Sequence, residues 1–190
     1  MNTKDRIMET ADKLFYFQGY QTTGINQIID EANVAKGSLY NHFPSKKDLG
    51  HAYVKQSSDQ WFKGLEKELE LWSDPAEKLL AIFSFLEKYA KINQFNGCRL
   101  INILTEVTDQ DDQITEMVVA HKQRFRELLY QITTKIDIGV MQAREVSDTI
   151  YLLYEAATVD SKIFKDDWPI QLARKNAEQF LNQNKMPNNQ

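Results

Sequence analysis

The chain has 190 residues, 42% of them hydrophobic and 26% charged, with a formal net charge of −4. That balance describes an ordinary folded chain of one to two small domains and excludes a general polyanion binder, so any nucleic-acid contact must come from a local patch. A single cysteine excludes an internal disulfide framework, and no apolar run reaches the roughly 18 residues that a membrane-spanning helix needs.

A charged N-terminus that enters a helix directly leaves no room for a secretory leader, and a cytoplasmic protein without membrane contact is expected. Seven Gly, four Pro and long stretches of 3.6-residue period predict an all-α fold of about nine helices, with no internal repeat. The expected organisation is an N-terminal three-helix head over residues 1–48, a helical body over 49–184 and a disordered Asn/Gln-rich tail at 185–190.

After the first helix, Ile25, Ile28, Ile29 and Ala32 recur as one apolar face of a short helix. Thr23 stands just ahead, where its hydroxyl can accept a bond from a first-turn N–H. Asn33 suits a left-handed turn, and Val34 returns toward the core. A second short helix is predicted from about residue 35 to His42, buried through Leu39 and Phe43. Its outward residues are Lys36, Gly37, Ser38, Tyr40, Asn41 and His42. Pro44 ends it, and Ser45 with Asp48 three residues on marks a fresh helix start. Helix, tight turn, helix is the arrangement whose second helix enters the major groove of DNA. Between Glu31 and Asp48 the only charged side chains are Lys36, Lys46 and Lys47, a local +3. The first fifty residues as a whole balance six cations against six acids.

These residues resemble the N-terminal domain of TetR-type (tetracycline-repressor-like) transcriptional regulators. The resemblance begins at Ile7, Ala11, Leu14, Phe15, Gly19 and Tyr20. It continues through Thr23, Ile28, Ala32, Val34, Lys36 to Tyr40, His42, Phe43, Ser45, Lys46 and Leu49. Departures stand at Gly24, Ile29, Asn33 and Ala35, the last removing a hydroxyl cap and a phosphate contact from the second helix. The resemblance implies that Thr23, Tyr40, His42 and Lys46 hold phosphates, Lys46 aided by a helix N-terminus. It places Lys36, Ser38 and Asn41 nearest base edges, with Gly37 allowing close backbone approach. The plain alternatives are a packed Tyr40 and a merely solvated His42.

Six further helices follow Pro44: one from Ser45 to about Trp72, one after the Asp74-Pro75 break, one from Gly97 to about Val107, one carrying Ile114 to Ile136, one from Gln142 to Phe164, and one after Trp168-Pro169. The acids Asp109, Asp111 and Asp112 read as a turn and helix start rather than a calcium loop. By the resemblance, the last two helices pair with their two-fold mates. The candidate interface is Val146, Ile150, Leu153 and Ala157 with Ala173, Ala177 and Phe180; alternatively these stripes only close the chain's own core.

Candidate ligand-lining residues are Phe83, Tyr89, His121, Phe125, Tyr151 and Tyr154, although aromatic residues at helical spacing are commonly plain core. Cys98, Asn102 and Glu106 are further ligand-lining candidates: they recur every four residues, a spacing shared with a subset of the same family. Cys98 reads either as an electrophile or oxidant sensor or as a small buried hydrophobe. No metal cluster, cofactor motif or hydrolase motif is present, so no cofactor and no enzymatic activity are expected. One function reading is a homodimeric repressor that leaves a palindromic double-stranded DNA operator when a small apolar or electrophilic inducer binds the body. The other is a helical module for a hydrophobic ligand or protein partner, with only minor DNA binding.

Overall fold

Several helix starts in this chain coincide with side chains able to satisfy the orphan amides of a first turn. The computed structural model describes residues 2–107, 112–138 and 140–184. The expected polar turn at 108–111 and the tail at 185–190 lie outside them. Nine helices occur among the described residues: α1 (Thr3–Phe17), α2 (Ile25–Ala32), α3 (Lys36–His42), α4 (Lys46–Leu69), α5 (Pro75–Ile92), α6 (Arg99–Leu104), α7 (Asp112–Thr133), α8 (Val140–Phe164) and α9 (Trp168–Asn184).

Asn2 opens α1 by accepting the Asp5 N–H at 2.9 Å while the Asp5 carboxylate accepts the Asn2 N–H at 3.3 Å. Ser45 accepts the Asp48 N–H at 3.1 Å and donates to the Asp48 carboxylate at 2.6 Å, ahead of α4. Asp74 accepts the Glu77 N–H at 3.0 Å, with Pro75 in the first turn of α5. Asn33 closes α2 in the left-handed conformation, φ 50°, as its short polar side chain permits.

The chain divides into two compact units that interleave in sequence: Met1–Gln60 with Cys98–Ala120, and Trp61–Gly97 with His121–Gln190. The first is built from α1, α2, α3 and α6 with the N-terminal parts of α4 and α7. Its core holds Ile7, Ala11, Phe15, Ile28, Leu39, Leu49, Tyr53, Leu100 and Ile114. Phe15 stands edge-on to Tyr20 at 5.0 Å and to Tyr53 at 5.5 Å, ring centroid to centroid. Each such buried side chain contributes about 1.5–3 kcal/mol of transfer free energy.

In the second unit α8 packs on α9 and both pack on α5. Its core includes Phe62, Leu65, Leu79, Ile82, Phe83, Phe125, Leu129, Val146, Ile150 and Tyr154. The stripe read along α7 is divided between the units: Ile114 and Val118 belong to the first core, Phe125, Leu129 and Ile132 to the second.

The residues expected at a dimer interface fall mostly inside this second core. Val146, Ile150, Ala157, Ala173 and Ala177 are buried within the chain itself, and Leu153 and Phe180 are half-buried at the core's edge. Their stripe is turned toward the chain's own helices. The outward face of α8 instead carries Leu152, Ala156, Val159 and Ile163, with Leu152 64% and Ile163 66% exposed. Trp168 and Leu172 of α9 are also exposed.

Candidate nucleic-acid interface

The short helix α3 is anchored by Leu39, fully buried, and by Phe43 just past its end. That anchoring turns the remaining side chains outward. Lys36, Gly37, Tyr40, Asn41 and His42 are exposed and Ser38 is half-buried. Tyr40, 40% exposed, is therefore not a packed aromatic. A methyl group built on Gly37 would meet nothing within 4 Å, so the chain's own packing makes no demand for glycine there.

α2 begins at Gly24 and α3 at Ala35, neither offering a side-chain cap. Thr23, expected to cap α2 and to reach a phosphate, is fully buried, and its hydroxyl donates to the Gly19 carbonyl at 2.6 Å. Its side chain thus ties the α1–α2 loop to itself rather than presenting an oxygen outward.

Lys46, in the first turn of α4, is half-buried. Its ammonium donates to the Gln21 carbonyl at 3.3 Å and lies 4.7 Å from the Tyr20 ring centroid. Burial holds its pKa below the ordinary lysine value, against the opposing attraction of Glu106. Tyr20 returns a hydroxyl bond to the Lys46 carbonyl at 3.4 Å. It also fills the space beside Gly50, where an added Cβ would stand 2.9 Å from the ring. An ammonium carries three donors, so the Gln21 bond leaves donor capacity for an anion. Lys4, which no motif marks, adds a cation 5.9 Å over the Phe43 ring at the end of α3. The positive φ of Gly19, 111°, lets the chain turn from α1 toward this loop.

The residues expected to line a ligand site divide between the two compact units. In the second unit Phe83, Phe125, Tyr154 and His121 are buried, with Tyr89 and Tyr151 half-buried. Phe125 lies 5.0 Å from Tyr154 and 5.8 Å from Tyr151, and Phe83 lies 6.2 Å from Tyr154. Trp61, which the sequence reading passed over as part of a linking helix, is central: it stands 4.9 Å from both His121 and Phe125 and 5.6 Å from Phe85. The signal was available in the adjacent aromatics Trp61-Phe62 on α4. Burial, helped by repulsion from Lys122 and Arg124, pushes the His121 imidazole down to about 4. Cys98, Asn102 and Glu106 belong to the first unit. Cys98 is half-buried at the N-cap of α6, and Glu106 lies beyond the end of that helix, accepting the Gln21 N–H at 2.8 Å.

Comparison with known proteins agrees with this geometry. The family model for bacterial regulatory proteins of the tetR family matches residues 7–53. The HTH-type transcriptional regulator LmrA of Bacillus subtilis is 25% identical over 171 residues, 89% of this chain and 91% of its own. The HTH-type transcriptional repressor NemR of Escherichia coli is 20% identical over 182 residues, 90% of each chain. The crystal structure of a TetR-family transcriptional regulator from Streptomyces coelicolor superimposes with a TM-score of 0.87 at 21% identity, covering 97% of this chain and 96% of the other. Among the described residues no helix is long and apolar enough to cross a membrane.

Proposed function

We infer that the chain is a TetR-family helix-turn-helix DNA-binding transcriptional regulator without enzymatic activity, and that it is a ligand-responsive repressor acting as a homodimer. Residues 1–48 form the DNA-reading head, and residues 49–184 bind a small molecule and a second copy of the chain. The observation that carries the reading is α3. Two apolar anchors hold it so that Lys36, Ser38, Tyr40, Asn41 and His42 all project outward or lie at the surface. Lys36, Ser38 and Asn41 meet base edges, Lys pairing with guanine acceptors and Asn with adenine. Tyr40, His42 and Lys46 hold phosphates, and Gly37 lets the two backbones approach.

A second copy covers the outward face of α8, because Leu152, Val159 and Ile163 are large apolar side chains left exposed at helical spacing. Two heads related by two-fold symmetry then read a palindromic site. A largely apolar inducer acts from the aromatic cluster around Trp61, Phe125 and Tyr154. α4 and α7 each contribute residues to both compact units and supply the covalent continuity for coupling. Release requires only that the inducer bind the DNA-incompetent state more tightly.

The test is selection of duplexes from a random-sequence pool by the full chain, followed by salt titration of the selected duplex. A palindromic consensus should emerge. Lys46→Ala should lower the salt slope by about 1 for every sequence, while Lys36→Ala should relax the preference at one position of each half-site. Enrichment of no sequence, or an unchanged slope in Lys46→Ala, would count against these contacts.

A further inference from the structure

The loop between α1 and α2 is gripped by a residue remote in sequence. The Glu106 carboxylate accepts the Gln21 backbone N–H at 2.8 Å, and the Gln21 side-chain amide donates to the Glu106 carbonyl at 2.8 Å. The Gln21 carbonyl accepts from Lys46 at 3.3 Å, so both polar groups of one peptide residue are held from outside the loop. The carboxylate also lies against Gly19: a Cβ there would come within 3.1 and 3.2 Å of its two oxygens. Two residues on, Thr23 is buried with its hydroxyl on the Gly19 carbonyl, and Gly24 opens α2 without any side-chain cap. The start of α2 is therefore set by the loop and not by a cap of its own.

An acid in this place is electrostatically costly to DNA binding. It sits beside Lys46, in a head whose cations must attract phosphates. Its usefulness must lie in what it orders. Since α2 presents α3, the DNA-reading helix under the function proposed above, we propose that Glu106 is a positioning residue for DNA binding. Its carboxylate fixes Gln21 and the entry to α2 and sets the Lys46 ammonium beside the loop, without touching DNA itself. The acid earlier grouped with Cys98 and Asn102 as ligand-lining lies in this account against the α1–α2 loop of the head.

The sign of one measurement separates positioning from charge. Removing a negative charge from beside the head strengthens DNA binding if Glu106 acts only through its field. Loss of the loop's anchor weakens it. In the full chain, Glu106→Ala should bind the duplex selected by the wild-type protein about tenfold more weakly, the size expected for a lost hydrogen bond to a charged acceptor. Glu106→Gln keeps an acceptor and should stay within about threefold, since neutral bonds have roughly half the strength of charge-assisted ones. Glu116→Ala, which removes an exposed acid of the same compact unit, should leave affinity unchanged or raised.

Amide exchange without DNA supplies an independent reading: exchange at Gln21 should accelerate in Glu106→Gln and more so in Glu106→Ala. Equal or tighter DNA binding by folded Glu106→Ala overturns the proposal. Unchanged Gln21 exchange in Glu106→Gln does so too, even if the alanine variant fails to fold. If the wild-type chain selects no sequence, the DNA-reading function falls, while the exchange measurement still decides whether Glu106 holds the loop.

Discussion

Arg99 donates from Nη1 to both carboxylate oxygens of Asp12, each at 2.9 Å. The guanidinium also lies 3.9 Å from the Tyr16 ring centroid, so one side chain from the start of α6 meets two residues of α1. Both partners are largely shielded, with 15% and 24% of their side chains exposed. Burial lifts the Asp12 carboxyl above its ordinary range, and the attraction of Arg99 offsets only part of that rise.

Arg99→Ala should therefore move the Asp12 titration upward in NMR and lower the unfolding free energy by roughly 1–3 kcal/mol. The folded chain holds the Asp12 proton more tightly than the unfolded chain does. Its contribution is thus present in acid and lost as pH rises through the folded pKa. The substitution should enlarge that loss. A variant with an unmoved Asp12 titration would show that the pair has no electrostatic coupling.

Gly19→Ala is expected to destabilise the head by about 1–3 kcal/mol, because φ at this position is 111° and the new methyl would press on the Glu106 carboxylate. Urea unfolding measures it. A midpoint equal to that of the wild type would mean that loop and carboxylate can move apart without cost.

His121 predicts a loss of stability in mild acid. Its folded pKa, about 4, lies below the ordinary 6.5. Between these values the unfolded chain binds the extra proton and the folded chain does not, so stability is complete above that window and falls as pH drops through it. The loss approaches roughly 3 kcal/mol at the bottom of the window. His121→Phe keeps a ring between Trp61 and Phe62 and should flatten this limb of the stability–pH curve. An identical limb in that variant would assign the acid loss to other groups.

If a second copy covers the outward face of α8, as proposed, the two faces of that helix should separate dimerisation from folding. Leu152→Glu combined with Ile163→Glu should leave the helical spectrum intact and halve the mass seen by light scattering, since both side chains are exposed in the single chain. Ile150→Ala on the inner face should instead cost about 2–5 kcal/mol of folding free energy. A dimeric mass in the double glutamate variant would move the interface elsewhere.

What could be read from sequence was what depends on near neighbours. Asp74, Pro75 and Glu77 act within one turn, as do Ser45 and Asp48, so the starts of α5 and α4 were legible. Asn33 in the left-handed region and the outward residues of α3 were legible for the same reason. Thr23 misled because α2 takes Gly24 as its N-cap, which leaves the Thr23 hydroxyl to donate to the carbonyl four residues back. α8 is a different case: it is apolar on two sides, through Val146, Ile150 and Ala157 and through Leu152, Val159 and Ile163. Periodicity names both stripes but does not say which one the chain keeps for itself. Glu106 was out of reach because its partner Gln21 is 85 positions away.

Among the helices whose starts are described above, α1, α4 and α5 have side-chain caps, whereas α2, α3 and α6 have none. The two helices that make up the reading motif therefore share with α6 first-turn amides that no capping side chain satisfies. Uncapped ends of this kind are places where the free protein should open readily. A phosphate oxygen is a better acceptor than the water it would replace. In thermodynamic terms the operator then finishes the head's fold as well as being read by it. Part of the affinity would appear as a heat-capacity change and as amide protection in residues that no base touches.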